Sequence, residues 1–186
     1  LLNLVMSVLL FFFLLFKGYQ FLLTMGKLKK PALLPSSEEE NASIRKYPEK
    51  IIKAPTYREQ KAGIIINIVL WTALILIYLL GLFVFKMEWY YFLPLLVPTV
   101  NASEYLNLFA VTHDGIISGS RFIKWKNVKS LKWKKVDIHN KFYGYSQEVN
   151  DKFELYVETR GFPVRVFVTD DDVKEKLTNI LNDCLK

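Results

Sequence analysis

A chain of 186 residues that is 52% hydrophobic with a formal charge of +7 has the length of one ordinary domain. Its apolar residues, however, gather in the first 111 positions in runs longer than a soluble core requires. The single cysteine, Cys184, excludes an intrachain disulfide and a cysteine-based zinc site, and the two histidines, His113 and His139, are too few for a histidine-rich metal centre.

Residues 1–24 are expected to form a first transmembrane helix. Leu1–Phe16 is apolar apart from Asn3 and Ser7 and ends at Lys17, whose stem can snorkel to the interface. A cleaved signal peptide is the rival reading. No basic stretch precedes the run and no small-residue cleavage pattern follows it, which favours an anchor. Residues 25–62 read as a solvated cytoplasmic linker. Pro31, Pro35, Pro48 and Pro55 forbid a long helix, and Ser36 or Ser37 can cap a short one around Glu38–Arg45.

Residues 63–86 contain the clearest span. Ile64–Phe85 is 22 residues without a charge, about 33 Å at ~1.5 Å per residue. Asn67 inside it reads as a helix–helix hydrogen bond, not a transport site. Residues 89–107 hold a third candidate, led by the aromatic cluster Trp89, Tyr90 and Tyr91. Pro94 and Pro98 weaken it as a straight helix, and Asn101, Glu104 and Asn107 make its second half polar. A transmembrane helix that emerges near Glu104 and a re-entrant segment both fit.

Charge sets the expected orientation. The stretch from Lys17 to Lys61 holds ten Lys and Arg residues, whereas the turn Lys86-Met87-Glu88 holds one. By the positive-inside rule the first is cytoplasmic and the second is outside. Three spans then place the N-terminus outside and residues 108–186, with 14 further Lys and Arg, in the cytoplasm. The expectation is a multi-pass protein of the cell membrane.

From Leu108 the pattern becomes alternating. Phe109–Thr112 and Ile116–Ser118 flank His113-Asp114-Gly115, a strong hairpin signal. In Arg121–Lys135, Ile123 and Trp125 share one face, as do Leu131 and Trp133. If the two halves pair, two tryptophans enter a core and Lys124, Lys126, Lys132 and Lys134 line one outer face. Phe153–Glu158 and Phe162–Val168 form a further hairpin. The last segment is an amphipathic helix on Val173, Leu177, Ile180, Leu181, Cys184 and Leu185, with Thr169 as cap. Asp170, Asp171 and Asp172 suit its first turn, which explains them without a metal. The predicted class is a membrane α-helical region of about three transmembrane helices, followed by an α+β domain, a small β-barrel or sandwich capped by the C-terminal helix.

Thr112-His113-Asp114-Gly115-Ile116, the block Phe122-Ile123-Lys124-Trp125-Lys126-Asn127-Val128 and the terminal amphipathic helix resemble the YcxB-like group. These are bacterial membrane proteins with a PH-like domain behind a transmembrane hairpin, and the resemblance covers residues 64–186. It implies a PH-like fold acting in binding or scaffolding, with no catalytic residues. The additional N-terminal span departs from the group's simplest pattern.

No Gly-rich phosphate loop, nucleophile elbow or His/Glu metal pair is present in the sequence, so the expected function is non-enzymatic and needs no cofactor. The leading expectation is a membrane-anchored binding or accessory module. Its partners are membrane lipids or another membrane protein. Lys124, Lys126, Lys132 and Lys134 are the candidate site for anionic lipid or a partner, at about 1 kcal/mol per near-surface lysine. A solvated strand face that binds nothing is the competing reading. Nucleic acid is disfavoured because no aromatic platform accompanies the lysines. An immunity or regulatory protein acting on a membrane partner is the alternative function, and a transporter subunit a more distant one.

Overall fold

The computed structural model describes residues 1–29 and 31–185. Helix α1 spans Leu2–Lys27. The short helix α2, Glu38–Ser43, is capped by Ser37, whose hydroxyl accepts from the Glu40 amide at 3.2 Å. Strands β1, Ile44–Tyr47, and β2, Lys50–Ile51, follow. The reading of residues 25–62 as a solvated linker is therefore corrected. β1 pairs with Val164–Val168 near the end of the chain, and Leu34, Ile44 and Ile52 enter the domain core. These apolar residues are too scattered between prolines to show a period. Completing a sheet edge satisfies their backbone and buries them together.

Helix α3, Tyr57–Phe83, lies antiparallel to α1. The Tyr57 hydroxyl donates to the Met25 carbonyl at one end, and the Tyr78 hydroxyl donates to the Ser7 carbonyl at 2.5 Å near the other. Both helices are long and apolar enough to cross a membrane. Their exposed faces are largely apolar, and several of their polar groups lie inward beside Leu14, Phe21, Trp71 and Leu74. Ser7 of α1 and Gln60, Asn67 and Tyr78 of α3 lie on the buried stripe, while Leu4, Phe12, Phe16, Ile66, Val69 and Leu76 are exposed. A helix pair solvated by water shows the reverse distribution. Asn67 bonds within its own helix, donating to the Gly63 carbonyl at 2.9 Å, and does not bridge helices as expected.

Residues 89–107 form no continuous helix, which corrects the simple picture of a third transmembrane helix. They fold as a 3-10 helix, Trp89–Leu95, then helix α4, Leu96–Asn101, then a 3-10 turn, Ala102–Glu104. Pro94 and Pro98 remove two donors from the i to i−4 ladder, so one unbroken α-helix is disfavoured. The broken segment nevertheless retraces α3. Phe92 lies tilted against Tyr78 with centroids 4.7 Å apart and closes over Gly81, and the Tyr105 carbonyl lies against Gly63. Gly81 lies eighteen positions beyond Gly63 along α3, about 27 Å at ~1.5 Å per residue. The return needs fewer residues because 3-10 turns rise about 2.0 Å per residue.

The remaining strands build two antiparallel sheets. β3, Phe109–Thr112, β4, Gly115–Ser118, and β5, Arg121–Lys124, form the first, in that order. β6, Val128–Lys135, β7, Phe153–Thr159, and β8, Val164–Val168, join β1 and β2 in the second, in order β2-β1-β8-β7-β6. Both expected hairpins are present. The first reverses at His113-Asp114, and a side chain at Gly115 (φ +155°) would meet the Ile123 carbonyl. Helix α5, Asp171–Leu185, lays Val173, Leu177 and Leu181 on the core between the sheets. Its cap is Asp170, which accepts from the Val173 amide at 3.0 Å. Thr169, the expected cap, instead donates to the Ser43 carbonyl at 3.1 Å.

The first sheet is buried on both faces. Phe109, Val111, Ile116 and Ile123 face the domain core, while Ala110, Ile117 and Phe122 belong to the second apolar cluster, which also holds Phe21 and Met25 of α1. Thr24 of α1 donates to the Ser120 carbonyl at 2.9 Å, and Lys27 pairs with Asp114 at 2.5 Å. The domain thus sits directly on the helix pair.

Candidate functional site

The four lysines expected on one face are divided between the two sheets. β5 and β6 do not pair. A 3-10 turn, Trp125–Asn127, carries the chain from an edge of the first sheet to an edge of the second. It lacks the Asn-Gly or Asp-Gly pair that reverses a hairpin in two residues. Trp125 and Trp133 still pack on the core, as expected, and their indole N–H groups donate to the His113 carbonyl at 2.9 Å and the Thr178 hydroxyl at 3.1 Å. Lys124 ends β5 and Lys126 lies in the turn, both exposed. Lys132 and Lys134 stand on the outer face of β6, where β7 supplies counter-charges. Lys132 is 3.6 Å from Glu158, and Lys134 sits over the Tyr156 ring, 5.1 Å from its centroid. The Ser130 hydroxyl and then Lys132 hold the Glu158 carboxyl below its ordinary range. This outer face is a charge-paired ladder.

A denser basic site lies where the sheets open beside the return segment. Val164, Val166 and Val168 of β8 point into the core, so Arg165 and Phe167 lie on the opposite face, where Phe167 is buried against Val136, Phe142 and Val149 and Arg165 is half-buried. Arg165, Lys46 of β1 and Arg121 of β5 converge on a cleft of about 210 Å³ that Ser103 and Ser118 also line. At about 30 Å³ per water this holds roughly seven waters. No carboxylate lines it. Beside it, Glu104 accepts the Tyr47 hydroxyl at 2.7 Å, and Arg165 reaches the buried Glu154 at 3.8 Å on its other side.

Lys46 is the most constrained of the three cations. Its Nζ donates to the carbonyls of Ser103 at 2.7 Å and Leu106 at 3.1 Å, closing the C-terminal end of the return segment. Burial lowers its pKa to about 8; Glu104 raises it, and Lys50 and Arg121 lower it further. Burial also pushes Tyr47 up to about 12, helped by its hydrogen bond to Glu104. Arg121 is drawn below its usual value by burial alone, but a guanidinium stays cationic there.

A second, larger cleft of about 460 Å³ lies on the outer face under residues 136–152. Lys134, Lys135, Lys141 and Arg165 face Asp137 and Glu154 in it. Arg165 lines both clefts, so a basic strip runs from the β6 edge to the mouth beside the helices. Such a surface concentrates anions. Sequence reading selected Lys134 from this strip and missed Lys46, Arg121 and Arg165. Only the outward position of Arg165 between valines was visible beforehand.

Among the described residues no three His, Cys, Asp or Glu side chains gather as a metal site requires. Comparison with protein-family models, curated proteins and solved structures finds no match.

Proposed function

We propose that the chain is a non-enzymatic, membrane-anchored binding or accessory module with a PH-like domain that holds anionic lipid headgroups at its basic cleft. The carrying observation is the convergence of Lys46, Arg121 and Arg165 on a carboxylate-free cleft beside the segment that leaves the helices. α1, α3 and the broken return are read as three crossings of the bilayer. The largely apolar exposed faces of the helix pair and the retracing of α3 by residues 92–105 support that reading. The ten basic residues between Lys17 and Lys61 support a cytoplasmic domain and an external N-terminus. Two packed antiparallel sheets with α5 across one end are compatible with a PH-like fold.

The test is binding of a headgroup-labelled phosphatidylglycerol to the full chain in neutral mixed micelles. Three near-surface cations at about 1 kcal/mol each correspond to roughly a 100-fold change in affinity. The variant K46M/R121Q/R165Q is expected to bind about 100-fold more weakly than wild type, whereas K124Q/K126Q is expected to bind about as wild type does. Equal binding by wild type and the triple variant rejects the site.

A further inference from the structure

We infer that the turn between β7 and β8, residues 160–163, is a second membrane contact in which Phe162 inserts at the headgroup–acyl boundary of the leaflet beside α1. The inference rests on α1 and α3 spanning the bilayer and uses residues outside the lipid cleft, apart from Arg121 and Pro163.

The turn presents an apolar ring to the outside in a place where the fold has no need of one. Phe162 is 73% exposed, while Val164, Val166 and Val168 of the strand it leads into are all buried. The turn is also held in shape. The Arg121 guanidinium donates to the Phe162 carbonyl at 2.7 Å, and the Thr159 hydroxyl donates to the same oxygen at 2.9 Å. The Thr159 hydroxyl in turn accepts from the Gly161 amide at 3.1 Å. A preformed turn loses little entropy on binding.

Its position fixes the occupant. Arg121 lies within electrostatic reach of Lys17, and Lys17 is where the apolar run of α1 ends. That residue marks the level of the headgroups on the side where the domain sits. Between α1 and the turn lies a cleft of about 250 Å³ lined by Gln20, Arg121, Asn127, Thr159 and Arg160, with no carboxylate. Arg121 also sits over the Phe162 ring, 5.9 Å from its centroid. An exposed aromatic flanked by two arginines and a lysine at the end of an apolar helix matches an anionic lipid surface: ring in the boundary, cations on phosphates.

The experiment uses the full chain with Cys184→Ser, carrying an environment-sensitive fluorophore on F162C, F12C or E175C. Phe12 lies mid-helix on the exposed face of α1, and Glu175 is exposed on α5. Each is reconstituted into phosphatidylglycerol/phosphatidylcholine vesicles and quenched by a shallow acyl-chain spin label and by acrylamide from the water. The F162C label is expected to be quenched by the spin label about three-fold more than the E175C label, and to be shielded from acrylamide. Replacing phosphatidylglycerol by phosphatidylcholine is expected to reduce that shielding. If the F162C label behaves like E175C while F12C is lipid-quenched, the wedge is wrong and the spans stand. If F12C is also open to acrylamide, the spanning reading falls and the wedge with it. Shielding from both quenchers means that protein covers the turn, which overturns lipid as the occupant.

Discussion

Gly63 tests whether residues 89–107 return along α3. A Cβ at Gly63 would collide with the Tyr105 carbonyl oxygen and approach Leu106 Cδ2 to 2.9 Å. The oxygen is backbone, so it cannot swing away as a side chain would. Overpacking of this kind costs about 2 kcal/mol, and the higher helix propensity of alanine offsets about 1 kcal/mol of it. The net loss is about 1 kcal/mol, or roughly a 3 °C lower midpoint for a chain of this size. Gly18 of α1 is the matched control, since nothing lies within 4 Å of a Cβ there. Gly18→Ala should therefore keep the propensity gain and raise the midpoint by roughly 3 °C. The assay is intrinsic-fluorescence melting of Gly63→Ala and Gly18→Ala in one detergent at one scan rate, because unfolding of such a chain is compared as a rate. If Gly63→Ala melts at or above Gly18→Ala, the Tyr105 backbone does not lie against α3, and the return segment is misplaced.

Two further outcomes follow from buried charge. Lys46 has a folded pKa of about 8, below the unfolded value of about 10.4. The unfolded chain then holds more protons between those values, so the Lys46 contribution to stability rises from about pH 8 to about pH 10. Above about pH 10 the trend reverses, because Tyr47, raised to about 12, favours the folded state only while protonated. Denaturant midpoints across pH 7–10 should show the rise in wild type and a smaller one in Lys46→Met; an identical slope in both refutes the assignment. Glu40 is buried and accepts from the Ser36 amide at 2.6 Å, the Ser36 hydroxyl at 3.0 Å and the Lys176 ammonium, which ties α2 to α5. Burial alone would raise its pKa, but Lys176 and then Ser36 hold it below the ordinary carboxylate range. Its contribution is present above about pH 4.3 and is lost as pH falls through the depressed folded value. Glu40→Ala should cost about 1 kcal/mol at pH 7, since Ser36 and Lys176 are exposed enough for water to take the place of the carboxylate. An equal midpoint for wild type and variant in a denaturant titration would show that the clamp is solvated.

Features set by neighbours in the chain were legible in the sequence. The charge-free run Ile64–Phe85 predicts α3, because an apolar stretch of that length with no Pro or turn signal satisfies its backbone locally as a helix long enough to cross a membrane. Asp114-Gly115 predicts the β3–β4 hairpin, alternation predicts β7 and β8, and the stripe from Val173 to Leu181 predicts α5. These signals are local, since turn chemistry, period and capping each act within a few residues.

What only the tertiary structure decided is which distant segments meet. Ile44 reads as a stray apolar residue in a linker until β8 offers an open edge, 124 residues later, at Val168. Lys124 and Lys134 share an alternating pattern yet stand on different sheets, because Trp125–Asn127 turns the chain instead of reversing it. The prolines at 94 and 98 announce a break, but not that the broken segment would find Gly81 and Gly63 waiting along α3. Lys46, Arg121 and Arg165 carry no common motif and become a basic cleft only when β1, β5 and β8 are brought together. Period and capping are energies of adjacent residues, whereas strand pairing and charge convergence depend on burial shared between segments far apart in sequence.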